Sequence, residues 1–131
     1  MAVIILNKKE IIKITGKTKD EELDETLSLF GAPVEKITEG EIEVEVAPNR
    51  PDMLSQQGLQ RALKSYLKKE SGLKKYKVHA PEKNYTVKID SSVKDVRPFT
   101  VCAIVKNLSL NNEKIKEIID LQEKLHSTIG R

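Results

Sequence analysis

The chain has 131 residues, of which 38% are hydrophobic, 33% are charged and only 4% are aromatic, with no tryptophan. This length suits one domain, or one small domain and part of another, built around an aliphatic core. A single cysteine excludes an internal disulfide, and the apolar run at residues 2–6 is too short for a signal peptide or a membrane span. We therefore expect a cytoplasmic protein that does not associate with membranes.

Charge is unevenly distributed along the chain. Residues 1–47 hold 6 basic and 11 acidic residues, a net charge of −5, so residues 48–131 carry +8 within an overall charge of +3. Seven basic residues and one acid, Glu70, lie between residues 61 and 77. This run is either a solvated helix face and linker or a surface that follows the phosphates of a nucleic acid. In the second interpretation the candidate contacts are the lysines of the run: Lys64, Lys68, Lys69, Lys74, Lys75 and Lys77.

The first third of the chain predicts a short strand followed by two helices. Asn7 and Glu10 form the pattern of a capping box for the first helix, and Gly16 ends that helix with a left-handed turn. Thr18 is expected to cap the second helix, which has acidic residues in its first turn and stops at Gly31.

A hairpin and a long helix follow. The hairpin strands are predicted at residues 34–38 and 41–46, joined by a turn at Glu39-Gly40. The second strand alternates strictly between apolar and acidic residues, which places one face on a core and the other in water. A stripe of apolar residues then predicts an amphipathic helix from about residue 53 to residue 70.

The turn between that strand and that helix holds Asn49, Arg50, Pro51 and Asp52. Asn49 and Asp52 carry short oxygens that accept unpaired backbone N–H groups, and Pro51 has a φ suited to a turn. Either Asp52 or Ser55 can cap the helix. Arg50 is expected to reach an acid in the negative first part of the chain, with a nucleic-acid phosphate as its alternative partner. The four turn residues are therefore predicted to be structural rather than catalytic.

The pattern changes in the second half of the chain. A lysine-rich segment without periodicity is typical of a linker, and strands are predicted after it at residues 86–90 and 99–108. Asn111 then caps a last helix whose buried side is formed by Ile115, Ile118, Ile119, Gln122 and Leu125. The predicted fold class is α+β. Its segments are a small helical domain with a short sheet, a basic linker and the start of a second domain, at residues 1–72, 73–84 and 85–131.

The sequence holds no pattern for catalysis or metal binding. Its six glycines are scattered, without the spacing of a phosphate-binding or dinucleotide-binding loop. His79 and His126 lack metal-ligand spacing with each other and with Cys102, which lies in an apolar run and is expected to be a buried, inert thiol. The acidic residues follow surface alternations rather than the arrangement that acid–base catalysis needs. We expect no catalytic, cofactor-binding or metal-binding residue in this chain.

Three segments stand out as a set: EVEVAPNRPDMLSQQGLQRAL at residues 43–63, DVRPF followed by TVCAIVKNL at residues 95–108, and DLQEKLHSTIGR at residues 120–131. In this order and at this spacing they resemble the β subunit of phenylalanyl-tRNA synthetases of the archaeal and eukaryotic type. The resemblance covers essentially the whole chain. Because that subunit is several times longer, the chain resembles its N-terminal piece.

The resemblance implies a fold and a role. In that family the enzyme attaches phenylalanine to its tRNA with ATP and magnesium, the α subunit performs this chemistry, and the subunits assemble as an α₂β₂ tetramer. The first domain is likened to winged-helix folds, and residues 85–131 correspond to the beginning of a B3/B4-like, editing-type domain. The chain is thus expected to be a structural and possible tRNA-contacting piece without its own active site. Two alternatives stay open: a freestanding RNA- or DNA-binding module, and a fragment of a tRNA-editing hydrolase.

Overall fold

The computed structural model describes residues 2–73, 75–82 and 84–130. Its contacts divide the chain into two compact units, of which the first comprises Met1–Leu73 and Asn111–Arg131 and the second is Lys74–Leu110. Across the described residues the structure is mixed α and β, with four α-helices and one small antiparallel sheet. This confirms the predicted fold class in its coarse form, while the domain boundaries expected from the sequence remain a prediction.

The first unit contains a three-stranded antiparallel sheet, with β1 (Ala2–Asn7), β2 (Val34–Ile37) and β3 (Glu41–Val46) in the order β1-β3-β2. The predicted first strand and hairpin are both confirmed. Successive residues of a strand face opposite sides, so alternate side chains of β1 and β3 share one face. The side chains on this inner face are almost fully buried: Ile4, Leu6, Ile42, Val44 and Val46.

The first helix, α1 (Lys8–Thr15), begins and ends as its sequence predicts. The side chain of Asn7 caps it, because Oδ1 accepts a hydrogen bond from the backbone N–H of Glu10 at 3.3 Å. Gly16 follows the helix in the left-handed conformation, with φ at 77°.

The second helix, α2 (Asp20–Phe30), corrects one prediction. Thr18 does not cap it, since Lys19 occupies the N-cap position and makes no side-chain capping bond within the described chain. Acidic residues in the first turn stabilise this end instead, because they lie near the positive end of the helix dipole. One of them, Asp20, also pairs with Lys8 at 2.7 Å and so joins the starts of α1 and α2.

The third helix, α3 (Gln56–Tyr66), is shorter than the helix predicted at residues 53–70. The chain leaves β3 and first makes a single 3-10 turn at Pro51–Met53, which delays the α-helix. The last helix, α4 (Asn112–Thr128), starts at the predicted cap Asn111, whose side chain accepts from a backbone N–H of the first turn at 2.9 Å.

The core of the first unit is built from the inner face of the sheet and from α1, α2 and α3. Its fully buried helical side chains are Ile11, Leu23, Leu27, Leu59 and Leu63. Helix α4 adds Leu121 and Leu125, which are partly buried against this core. The predicted buried side of α4 is therefore only partly correct, because Ile115, Ile118 and Ile119 are 43%, 53% and 51% exposed.

The second unit forms no strand within its described residues, so the strands predicted at residues 86–90 and 99–108 are wrong. A strand needs a neighbour to pair its backbone groups, and an apolar face needs a surface that covers it. These residues have neither: Phe99 and Val101 are 91% and 96% exposed. Cys102 is exposed as well, which corrects the expectation of a buried thiol.

Candidate nucleic-acid interface

The turn between β3 and α3 is held by an ion pair within the turn. Arg50 donates from Nε and Nη2 to the two carboxylate oxygens of Asp52, at 3.0 and 2.8 Å. These hydrogen bonds hold the pKa of the Asp52 carboxyl below its usual range and raise the pKa of Arg50. The expectation that Arg50 reaches an acid in the first part of the chain is wrong, because its partner is two residues away.

Backbone carbonyls accept hydrogen bonds from two N–H groups of this turn, whereas side-chain oxygens were predicted as their acceptors. The N–H of Arg50 donates to the carbonyl of Ala47, and the N–H of Met53 donates to the carbonyl of Arg50, each at 3.0 Å. A proline at the start of the 3-10 turn fits because its φ is fixed near the required value. The structural role stays a prediction for the four turn residues: Asn49, Arg50, Pro51 and Asp52.

Ser55, not Asp52, caps α3, since Ser55 Oγ accepts from the N–H of Gly58 at 3.1 Å. Gly58 itself lies against the turn. A Cβ built on Gly58 would be 2.0 Å from the backbone oxygen of Asp52. Any side chain at this position would therefore collide with the turn. This contact was not predicted from the sequence, although a glycine inside a helical pattern is a signal of close packing.

The candidate lysines are divided between the two units. Lys64 lies in the last turn of α3, and Lys68 and Lys69 are exposed just beyond it. Lys75 and Lys77 are exposed in the second unit, and Lys74 lies outside the described residues. The structure thus brings together only the first three candidates on one compact unit.

Beyond α3 the chain turns back on the helix. Lys68 adopts the left-handed conformation, with φ at 58°, which is uncommon for a residue with a side chain. The N–H of Lys69 then donates to the carbonyl of Lys64 at 2.9 Å. The Lys64 ammonium in turn pairs with Glu70 at 2.9 Å. Three basic residues and one acid consequently lie at or just beyond the C-terminal end of α3.

A cleft of about 350 Å³ lies beside this end of α3. It is lined by residues of α1, of α3 and of the segment that turns back: Glu10, Lys13, Ile14, Gln60, Lys64, Lys69 and Glu70. Lys13 pairs with Glu10 at 2.6 Å. The Nε2 atom of Gln60 is buried and has no hydrogen-bond partner among the described residues. Lys13 and Gln60 were missed by the sequence analysis, because no local pattern shows that α1 and α3 meet.

The described part of the chain contains no group of three or more histidine, cysteine, aspartate or glutamate residues placed to hold a metal ion. Within it no helix combines the length and the apolar character needed to cross a membrane. The cytoplasmic location remains a prediction.

No family model matches the chain, but it is similar over its whole length to several curated proteins. It is 35% identical over 131 residues to the phenylalanine–tRNA ligase β subunit of Methanosarcina barkeri, covering 100% of this chain and 24% of that subunit. It is 36% identical over 131 residues to the same subunit of Archaeoglobus fulgidus, with 100% and 23% coverage. The chain therefore spans about a quarter of the length of the curated relatives that it matches.

A solved structure agrees with the sequence relatives. The crystal structure of an N-terminal fragment of the phenylalanyl-tRNA synthetase β subunit from Pyrococcus horikoshii matches 99% of this chain and 39% of that fragment. The TM-score is 0.80 and the sequence identity is 31%. Sequence and structure agree along the whole chain: it is a homologue of the N-terminal region of the archaeal phenylalanine–tRNA ligase β subunit.

Proposed function

We propose that the chain serves as the N-terminal part of a phenylalanine–tRNA ligase β subunit, which works with an α subunit to attach phenylalanine to its tRNA. The observation that carries this proposal is the match over the whole chain, both in sequence and in a fold with a TM-score of 0.80. ATP and magnesium belong to the complete enzyme in this proposal. This chain contributes structure and contact with tRNA, and no catalytic group.

The domain assignment is part of the same proposal. Residues 1–72 act as a winged-helix-like domain, 73–84 as a basic linker and 85–131 as the beginning of an editing-type domain, whose helix α4 also packs on the core of the first unit. The exposure of apolar side chains at residues 99–105 supports the last assignment, because such residues are normally covered by further structure. Fold alone does not establish nucleic-acid binding.

The exposed lysines support a contact with the tRNA backbone. Lysine side chains that neutralise phosphates release counterions, which makes binding favourable and dependent on salt. Lys68, Lys75 and Lys77 are exposed, and the segment from residue 61 to residue 77 has seven basic residues against one acid. We therefore assign the tRNA-backbone contact to this basic segment, including Lys74, which lies outside the described residues.

Charge reversal in the assembled α₂β₂ enzyme tests this assignment. Changing Lys68, Lys75 and Lys77 together to glutamate should weaken tRNA binding by about tenfold or more at low salt. Each lost phosphate contact should also reduce the slope of log affinity against log salt concentration by roughly one unit. The affinity is measured by fluorescence titration over a range of salt concentrations. A triple reversal of exposed lysines in the acidic part of the chain is the matched control: Lys9, Lys19 and Lys36. If both triple variants bind tRNA alike, the basic segment is only a solvated surface.

A further inference from the structure

We propose that the cleft beside the C-terminal end of α3 binds a phosphate group. The proposal deepens the tRNA contact and in part rests on it, since a backbone phosphate of RNA is one source of such a group and a free phosphorylated molecule is the other. It starts from two independent features of the cleft. One is a buried amide donor without a partner, and the other is an excess of positive charge.

The amide donor is Gln60 Nε2, which is buried with no hydrogen-bond partner among the described residues. A buried donor without an acceptor costs about 1–3 kcal/mol, so such a group usually indicates a missing partner. The residue as a whole is only partly buried, and the terminal torsion of glutamine is soft. Because Gln60 lines the cleft, rotation about this torsion would present the amide to an acceptor oxygen bound there.

The charges of the cleft favour an anionic acceptor over water. Three lysines and two glutamates line it, which leaves one positive charge in excess. Lys13 pairs with Glu10 and Lys64 pairs with Glu70, whereas Lys69 has no ion-pair partner in the described part of the chain. Lysine is a common phosphate ligand because its ammonium acts as a point charge with three donors. A phosphate oxygen would satisfy Lys69 and Gln60 together.

The test uses the 131-residue chain and inorganic phosphate as the probe. Nitrogen–proton NMR spectra, recorded at constant ionic strength, follow the side-chain amide of Gln60 during the titration. We expect a saturable shift of this signal. Lys69→Gln should weaken the phosphate affinity about tenfold, as the loss of one charge-assisted hydrogen bond predicts. Lys9→Gln is the matched control, since Lys9 is an exposed lysine of α1 that does not line the cleft, and this change should alter the phosphate affinity less than about twofold.

A gain of affinity provides a second measurement. Glu70 occupies the cleft as an internal anion that pairs with Lys64 at 2.9 Å. Glu70→Gln should therefore tighten phosphate binding several-fold, an effect that general loss of folding cannot produce. The absence of a saturable shift at Gln60, or equal effects of the Lys9 and Lys69 changes, would overturn the proposal and leave the cleft as a water-filled site.

The source of the phosphate is distinguished with tRNA. If Lys69→Gln reduces the slope of log tRNA affinity against log salt concentration by about one unit in the assembled enzyme, the cleft holds a backbone phosphate. If phosphate binds but tRNA affinity is unchanged, the ligand is a free phosphorylated molecule. If phosphate fails to bind while the triple reversal of Lys68, Lys75 and Lys77 still weakens tRNA binding, this inference is wrong and the proposed function stands.

Discussion

Gly58 is the position at which the strand–turn–helix segment should tolerate change least. The residue lies in the first turns of α3, directly below the 3-10 turn that precedes the helix. Replacing it with alanine would place a Cβ 2.0 Å from the backbone oxygen of Asp52 and 3.2 Å from Ser55 Oγ. The first distance is about 1.5 Å shorter than an ordinary separation of about 3.5 Å between non-bonded heavy atoms. Because the obstacle is a backbone atom, a side-chain rotation cannot relieve the collision.

The expected cost follows from three contributions. Overpacking of this kind destabilises by about 1–3 kcal/mol. Displacement of the turn also threatens the Ser55 cap, whose hydrogen bond to the N–H of Gly58 is 3.1 Å long and contributes about 1 kcal/mol. Alanine offsets about 1 kcal/mol through its better helix propensity. The net loss is then about 2 kcal/mol, which lowers Tm by about 8–16 °C in a domain of this size.

Thermal and urea unfolding, followed by far-ultraviolet circular dichroism, measure this loss. Gly40→Ala is the matched control, because a Cβ at Gly40 meets no atom within 4 Å and the residue does not need a left-handed conformation. Its stability should stay within about 0.5 kcal/mol of the parent chain. Gly58→Ala with the stability of the parent chain, or equal losses in the two variants, would refute the close packing of the turn on α3.

Two further changes test the ends of the same segment. Lys68→Gly should stabilise the chain by about 1 kcal/mol, measured by urea unfolding. Lys68 has a left-handed φ of 58°, a conformation that glycine adopts with less steric strain than lysine. A loss of stability would contradict this prediction. Asp52→Asn should destabilise the chain by less than about 1 kcal/mol at neutral pH. The side chains of Arg50 and Asp52 are each 41% exposed, and exposed ion pairs contribute little to stability. The pKa of Asp52 is lowered in the folded chain, so this contribution is present above the unfolded pKa of about 3.9 and is lost as pH falls through the folded pKa. A difference between parent and variant that persists in acid would exclude the ion pair as its cause.

Most of the first unit could be predicted because its signals are local. The alternation of β3, the Asn7 cap and the left-handed Gly16 each depend on residues close together in sequence, and the structure contains all three. The Thr18 cap failed although its pattern was also local. Lys19 takes the N-cap position, and the acidic first turn stabilises the helix end without a side-chain cap. Patterns of capping residues therefore identify a helix start more reliably than the hydrogen bond that completes it.

The strands predicted in the second unit failed for a different reason. Alternation and a run of β-branched residues describe what a strand can be, but pairing depends on a neighbour that the local sequence does not specify. At residues 99–105 the side chains are apolar and exposed, so the pattern is present without the structure that would use it. The cleft beside α3 was unpredictable for the same reason, because Lys13 and Gln60 belong to helices that are distant in sequence.

The Arg50–Asp52 pair bears on how the strand–turn–helix signature acts. An arginine that contacts RNA must offer a positive charge to phosphate, whereas Arg50 directs two of its donors to a carboxylate two residues away. The pair is neutral as a unit, so the turn exerts little attraction on a phosphate compared with the lysines beyond α3. The backbone of the same turn is paired internally and packs against Gly58. We therefore propose that the signature fixes how β3 leads into α3, and that through α3 it positions the lysines that we propose to bind phosphate.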